Sequence, residues 1–243
     1  MRILGFESSA KTASVAVCDE SGLISQYYQN SGLTHSRTLL PMAEDMLKNL
    51  SLTVDDIDLF AVAHGPGSFT GIRIGVATVK GLAWAKDKPV CGVSTLQALA
   101  CNGEVMPDES LICCVMDARR GQYYNALFEM RDGLPVRLCA DRAIGAAKLA
   151  EDIENQKKRV FIVGDGALLC YNTLENLKAN VVLAPEVLRF QSAWGVCVAA
   201  ARAPWQSVHE LLPVYLRMSQ AERARRESAV GHAVHTEKQG GSA

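Results

Sequence analysis

The same order of predicted elements occurs twice along this chain, and that duplication constrains the fold more than any other feature. Three short apolar segments, the last two joined by Asp19-Glu20-Ser21-Gly22, predict an opening meander of strands. Helices and strands then alternate, and a second meander with its own alternating elements follows. The first set of predicted strands spans 2–6, 12–18, 23–28, 58–64 and 90–93, with helices over 35–50 and 69–86. The second set spans 111–116, 122–130, 135–140, 159–163 and 181–184, with helices over 144–155 and 167–178. This pattern indicates an α/β fold of two lobes, each a mixed sheet flanked by helices.

The chain length agrees with two lobes, because 243 residues exceed the ~150 typical of one domain. We expect the first lobe to span 1–102, joined by a return helix within 190–218, and the second to span 103–189. A tail over 219–243 is predicted to be disordered, because its composition shifts to Arg, Glu, His, Gly and Ser. The formal net charge of −1 excludes a strongly basic nucleic-acid binder.

The cysteines indicate core filling in a reducing compartment. There are eight, none in a C-x-x-C pair, and most lie in apolar runs such as 111–115. Glu7 stands where a signal peptide needs an apolar centre, and no apolar run reaches the ~18 residues of a membrane span. We therefore expect a cytoplasmic protein that makes no membrane contact.

Three motifs could bind phosphate, and each also has a purely structural interpretation. Glu7, Ser8 and Ser9 form a turn after the first strand, where hydroxyls and backbone N–H groups could hold an anion, or where an ordinary hairpin could turn. The segment 65–71 precedes a helix but lacks the Gly-Lys-Ser/Thr of a P-loop, which favours a turn shaped by glycine and proline. Arg119-Arg120 could meet phosphate or a carboxylate, or form a solvated hairpin tip.

Longer motifs give the chain a family resemblance over residues 1 to about 218. They are Phe6-Glu7-Ser8-Ser9, the segments 65–75 and 116–124, and Pro213-Val214-Tyr215-Leu216-Arg217. With them the chain resembles the bacterial TsaB (YeaZ) family. The resemblance implies an actin-like or Hsp70-like (ASKHA) fold. It also implies a non-catalytic scaffold or activating subunit of the complex that forms N6-threonylcarbamoyladenosine in tRNA.

The resemblance also implies partners and cofactors. The main partner is the catalytic paralogue TsaD, with TsaE as a further partner, a homodimer in isolation, and tRNA contacted only indirectly. No intrinsic cofactor is implied, and any ATP or ADP is placed at the interface with TsaD. TsaD carries a metal-binding His-x-x-x-His, but Thr95 and Leu99 stand at those two positions here, so we expect no metal site. The alternative function is an ATP-dependent transferase or a superfamily-type peptidase that acts alone.

The first-lobe helices form the family's partner surface, through which we expect a heterodimer with TsaD. The apolar arc of 35–50 is wide, and 69–86 is apolar almost all round, as a second packing surface requires. The alternative is that these residues only cover the lobe's own sheet. The candidate interface residues are Met42, Met46, Arg73, Val76, Ala77, Lys80 and Trp84.

Overall fold

The computed structural model describes residues 1–103, 106–174 and 180–217, so the predicted tail over 219–243 lies outside the described residues. The first lobe contains a five-stranded sheet in the order β3-β2-β1-β4-β5. Strands β1 to β3 form an antiparallel meander, whereas β4 and β5 run parallel to β1. The elements are β1 (Ile3–Glu7), β2 (Ala13–Asp19), β3 (Gly22–Gln29), α1 (His35–Asn49), a 3-10 turn (Val54–Asp56), β4 (Leu59–Gly65), α2 (Phe69–Ala85), β5 (Val90–Ser94) and α3 (Thr95–Cys101).

The second lobe repeats this order as β8-β7-β6-β10-β11, with one additional strand, β9, paired to β7. Its elements are β6 (Leu111–Asp117), β7 (Gln122–Arg131), β8 (Leu134–Arg137), β9 (Arg142–Gly145), α4 (Ala146–Glu154), β10 (Val160–Val163), α5 (Ala167–Thr173), β11 (Val181–Leu183) and α6 (Glu186–Arg189). The predicted fold class, two lobes with mixed sheets flanked by helices, is confirmed. The strand predicted over 135–140 is wrong in its second half, because β8 ends at Arg137 and the chain turns into β9.

The first-lobe sheet is covered on both faces. Apolar side chains of α1 and α2, such as Leu39 and Ile72, pack on Phe60 and Val62. On the opposite face α7 (Ala193–Ala200) packs on small residues, including Ala61. A Cβ on Gly5 would lie 2.6 Å from Cys197 Sγ, so glycine lets α7 approach the sheet closely at this position.

The chain therefore enters the second lobe and then returns to the first. The expected return helix within 190–218 is shorter than predicted, because α7 ends at Ala200 and the segment after it is irregular. The two crossing segments lie side by side. Asn102 Nδ2 donates to Phe190 O at 3.1 Å, and Ser192 Oγ donates to Asn102 Oδ1 at 2.9 Å.

The cysteines pack as the sequence indicates. All eight are free thiols and seven are buried. Among the described residues, no helix combines the length and apolarity that a membrane crossing requires.

Candidate functional site: the inter-lobe cleft and the α1–α2 face

The inter-lobe cleft lies where the β1–β2 turn of the first lobe faces the β6–β7 turn of the second, and it has a volume of about 560 Å³. Its walls include Ser9, Lys11, Asp117, Arg119 and Asp165. All three motifs that could bind phosphate contribute to this one cleft, since Gly67, Ser68 and Phe69 of segment 65–71 also line it. The geometry of each turn decides whether its donors are free for a ligand.

The first turn directs its donors to its own carboxylate. Glu7 Oε1 accepts hydrogen bonds from Ser9 N at 2.6 Å and from Ser9 Oγ at 2.5 Å. Glu7 is completely buried, its Oε2 has no partner, and burial raises the pKa of this carboxyl to about 7. An internal carboxylate therefore takes the two donors of this turn that an anion would need.

The remaining hydroxyl of the turn is held by the glycine-rich helix α2. Ser8 Oγ donates to Gly71 O at 2.9 Å, and Ser68 N donates to Ser9 O at 2.6 Å. A Cβ on Gly71 would lie 2.0 Å from Ser8 O, and one on Gly75 would lie 2.6 Å from Ser8 Oγ. These glycines therefore bring α2 close to the β1–β2 turn, in agreement with the structural interpretation of segment 65–71.

The β6–β7 turn has the same carboxylate-to-backbone hydrogen bond as the β1–β2 turn. Asp117, the last residue of β6, accepts from Arg119 N at 2.7 Å, just as Glu7, the last residue of β1, accepts from Ser9 N. Arg119 and Arg120 have φ values of 65° and 57° and are exposed at the tip of the turn. Arg119 is paired loosely with Asp117 at 3.9 Å.

The floor of the cleft is rich in acceptors. Burial, with the charge of Asp117 as a further cause, raises the pKa of Asp165, and Gln191 Oε1 is buried without a partner. Three basic residues, Lys11, Arg119 and Arg217, also line the cleft, and Arg217 donates to the backbone carbonyls of Ala118 and Arg119. The backbone N–H groups of Ser9 and Arg119 already donate to carboxylates of their own turns. These two turns therefore do not fit the nucleotide phosphates that an actin-like cleft implies.

The two positions that the resemblance compared with metal ligands are inside the protein. Thr95 and Leu99 lie on α3 and are both buried. Within residues 1–103, 106–174 and 180–217, no group of three or more His, Cys, Asp or Glu side chains is arranged to hold a metal ion.

The α1–α2 face, the second candidate site, is partly corrected by the structure. Met46 and Val76 are 0% and 4% exposed and belong to the core between the helices and the sheet. The prediction that these two contact a partner is therefore wrong for this arrangement of the helices, since their side chains cover the lobe's own sheet. Ala77 and Trp84 are exposed, and Met42 is half-buried at the edge of the core.

Arg73 and Lys80 also have internal contacts, which the sequence did not predict. Both bind the segment Leu211–Arg217, here called the C-terminal strap. Arg73 Nε donates to Tyr215 Oη at 2.9 Å, and Lys80 Nζ donates to Leu211 O at 3.1 Å. Tyr215 stacks on Phe69 with ring centroids 4.3 Å apart. The polar side of α2 therefore anchors the strap, although Arg73 stays exposed.

An apolar groove of about 490 Å³ lies between α1, the 3-10 turn and α2. Leu40, Leu47, Leu52 and Leu82 line it. Leu40 is exposed and Leu52 and Leu82 are half-buried, and accessible apolar side chains of this kind are typical of a protein–protein contact surface. This groove, together with Ala77 and Trp84, forms the exposed part of the α1–α2 face.

Comparisons with known proteins agree on one family. A family model described as TsaD, tRNA N6-adenosine threonylcarbamoyltransferase, matches residues 29–188. The tRNA threonylcarbamoyladenosine biosynthesis protein TsaB of Bacillus subtilis is 31% identical over 223 residues, which cover 91% of this chain and 96% of that protein. The tRNA N6-adenosine threonylcarbamoyltransferase of Persephonella marina is 31% identical over 114 residues, covering 40% of this chain and 33% of that protein. A crystal structure from Pseudomonas aeruginosa, described as similar to the peptidase YeaZ, has a TM-score of 0.72 at 25% identity and covers 89% of this chain and 99% of its own.

Proposed function

The chain belongs to the TsaB family of tRNA threonylcarbamoyladenosine biosynthesis proteins, and from that premise we propose that it is a non-catalytic subunit that binds TsaD. In this proposal it holds the transferase TsaD in its active arrangement through the α1–α2 face. TsaE is the further partner, tRNA is contacted only indirectly, and the isolated chain pairs with itself. Any ATP or ADP binds at the interface with TsaD.

The observation that carries the proposal is the state of the inter-lobe cleft. Glu7 and Asp117 each accept the backbone N–H two residues further along, so both turns are closed on themselves. Asp165 adds a third carboxyl at the floor. A cleft whose two turns direct their backbone N–H groups to internal carboxylates lacks the free donors that stabilise a transferring phosphate, which favours a scaffold over an enzyme that acts alone.

The α1–α2 face supports the partner assignment. Ala77 and Trp84 place a small and a large apolar side chain on the exposed surface of α2. Leu40 of α1 is exposed at the apolar groove. A helix of a partner could bury these side chains against α1 and α2.

A charge placed on this face tests the interface. Ala77→Glu puts a carboxylate where the proposal has an apolar contact, and the expected result is loss of co-purification with TsaD. The monomer should keep its far-UV circular dichroism and its Tm, because Ala77 is exposed. Ala147→Glu is the matched control: the same substitution at an exposed position on α4 of the second lobe should leave TsaD binding unchanged. Retained binding by Ala77→Glu would place the interface elsewhere.

A nucleotide titration tests the non-catalytic role. Calorimetry of the isolated chain with ATP and Mg²⁺ should show no micromolar binding and no turnover, since both turns direct their backbone N–H groups to their own carboxylates. Micromolar binding with turnover would favour the alternative, an ATP-dependent transferase acting alone. Reconstituted tRNA modification with and without this chain then measures its contribution to the activity of TsaD.

A further inference from the structure

A second groove, of about 440 Å³, lies at the carboxyl end of α2, away from the inter-lobe cleft. Two tryptophans line it: Trp84 is 74% exposed and Trp205 is 51% exposed. Two of the three tryptophans in the chain are thus presented to solvent at one place. Large exposed rings are costly in water and are enriched where proteins bind their partners.

The backbone on both sides of this groove is fixed. Gln206, next to Trp205, forms an antiparallel bridge with Val90, with hydrogen bonds of 2.8 and 3.1 Å. Glu210 Oε2 accepts from Ser207 N and Ser207 Oγ, both at 2.9 Å, which closes the following turn. Trp84 lies on the last turn of α2. The two rings are therefore carried by ordered backbone, so binding would cost little additional ordering.

The charges at this groove are predominantly acidic. Its ionisable lining residues are Asp87, Lys88, His209 and Glu210. Lys88 Nζ is directed to the backbone oxygen of Asp55 at 3.1 Å. The carboxylate of Asp87 makes no hydrogen bond or ion pair within the described part of the chain, and Asp87 is exposed. The groove thus combines two exposed indole rings with the exposed carboxylate of Asp87.

We infer that this groove binds a cationic side chain, an arginine, carried by the partner docked on the α1–α2 face. The inference rests on the proposed function, because it identifies that partner as TsaD. Tryptophan has the most favourable ring for a cation, and the planar guanidinium stacks on it while it pairs with a carboxylate. Asp87 and Glu210 disfavour a phosphate at the same place. Trp84 belongs both to α2 and to the groove, so the two surfaces are continuous.

Variants of Trp205 separate a cation–ring contact from simple apolar burial. Trp205→Leu keeps an apolar side chain without a ring, and the dissociation constant for TsaD should rise roughly 5- to 30-fold. Trp205→Phe keeps a ring and should lose clearly less. Asp87→Asn, which removes only the charge, should weaken binding several-fold, and added salt should reduce the difference between this variant and the wild type.

A direct titration needs no partner protein. The indole N–H signals of the three tryptophans are followed by NMR while N-acetyl-arginine amide is added, with N-acetyl-citrulline amide as its neutral isostere. Signals of Trp84 and Trp205, assigned with phenylalanine variants, should shift with the arginine compound and not with the citrulline compound. The signal of Trp194, which is partly buried on α7, serves as the internal control.

The outcomes distinguish this inference from the proposed function. If Ala77→Glu abolishes TsaD binding while Trp205→Leu and Asp87→Asn do not weaken it, the arginine site is refuted and the scaffold role stands. If wild-type chain does not bind TsaD at all, the proposed function fails, and so does the assignment of the arginine to TsaD. Equal shifts with arginine and citrulline, or no shifts, refute cation binding whatever TsaD does.

Discussion

The close contact between α2 and the β1–β2 turn can be tested with two glycines of the same helix. An alanine Cβ at position 71 would lie 2.0 Å from the backbone oxygen of Ser8, and at position 81 it would meet nothing within 4 Å. Gly71 is buried and Gly81 is exposed. The two substitutions add the same methyl group to α2, so their difference isolates the contact with the turn.

The expected magnitudes have opposite signs. At position 71 either α2 or the turn must move by about 1 Å, an overpacking cost at or above the usual upper value of ~3 kcal/mol. Alanine favours the helix over glycine by about 1 kcal/mol, which offsets part of this overpacking cost. Gly71→Ala should therefore destabilise the protein by about 2 kcal/mol or more. Gly81→Ala adds only the higher helix propensity of alanine and should stabilise the protein by roughly 0.5–1 kcal/mol. For a chain of this size these values correspond to about 4–8 °C lower and 1–4 °C higher Tm.

Thermal unfolding followed by circular dichroism at fixed pH measures both variants against the wild type. The close packing of α2 on the turn is contradicted if Gly71→Ala unfolds at the wild-type Tm or above it. If Gly81→Ala is destabilised instead, the assumption that its position is open is at fault. Hydrogen exchange should also be faster at Ser8 and Ser9 in Gly71→Ala, because those residues lie against the added methyl group.

The remaining predictions concern the two ends of the cleft. Burial raises the pKa of Glu7 from 4.5 to about 7, so the folded protein keeps a proton that the unfolded chain releases, and stability should fall as pH rises through that window. Glu7→Gln should remove this pH dependence of the free energy of unfolding, which amounts to ~3 kcal/mol across the window at about 1.4 kcal/mol per pKa unit. If the slope of Tm against pH is the same in Glu7→Gln as in the wild type, the raised pKa of Glu7 is contradicted. Arg217→Ala removes the bonds to the carbonyls of Ala118 and Arg119 and should speed hydrogen exchange at 116–122 several-fold. If exchange there stays at the wild-type rate, the strap does not hold the second lobe.

The order of helices and strands along the chain was predictable because it follows from local signals. Alternating apolar residues and turns such as Asp19–Gly22 mark each strand, and their duplication indicates two lobes. Helix α3 was not predicted, because seven residues of mostly small apolar type carry no clear helical period. The return helix was predicted too long, because apolar content alone does not reveal where a buried helix ends.

The candidate sites were less predictable because their contacts are distant in sequence. Arg73 and Lys80 appear on a helical wheel as a polar surface stripe. In the structure they donate hydrogen bonds to Tyr215 and Leu211, which lie more than 100 positions away in the sequence. Met46 and Val76 share the helices with exposed residues, and only the packing of α1 against α2 buries them. The position of Trp205 beside Trp84 depends on the bridge between Gln206 and Val90, which no local pattern encodes.

The crossing of Asn102 beside Phe190 and Ser192 has a consequence for synthesis on the ribosome. The first lobe begins the chain, but α7, which covers one face of its sheet, emerges only after the whole second lobe. The inserted lobe can fold as soon as β11 leaves the exit tunnel, whereas Ala61 and its neighbours stay uncovered until residues 193–200 arrive. The N-terminal lobe is therefore the last to be completed, and the nascent chain exposes an apolar sheet face that chaperones can bind.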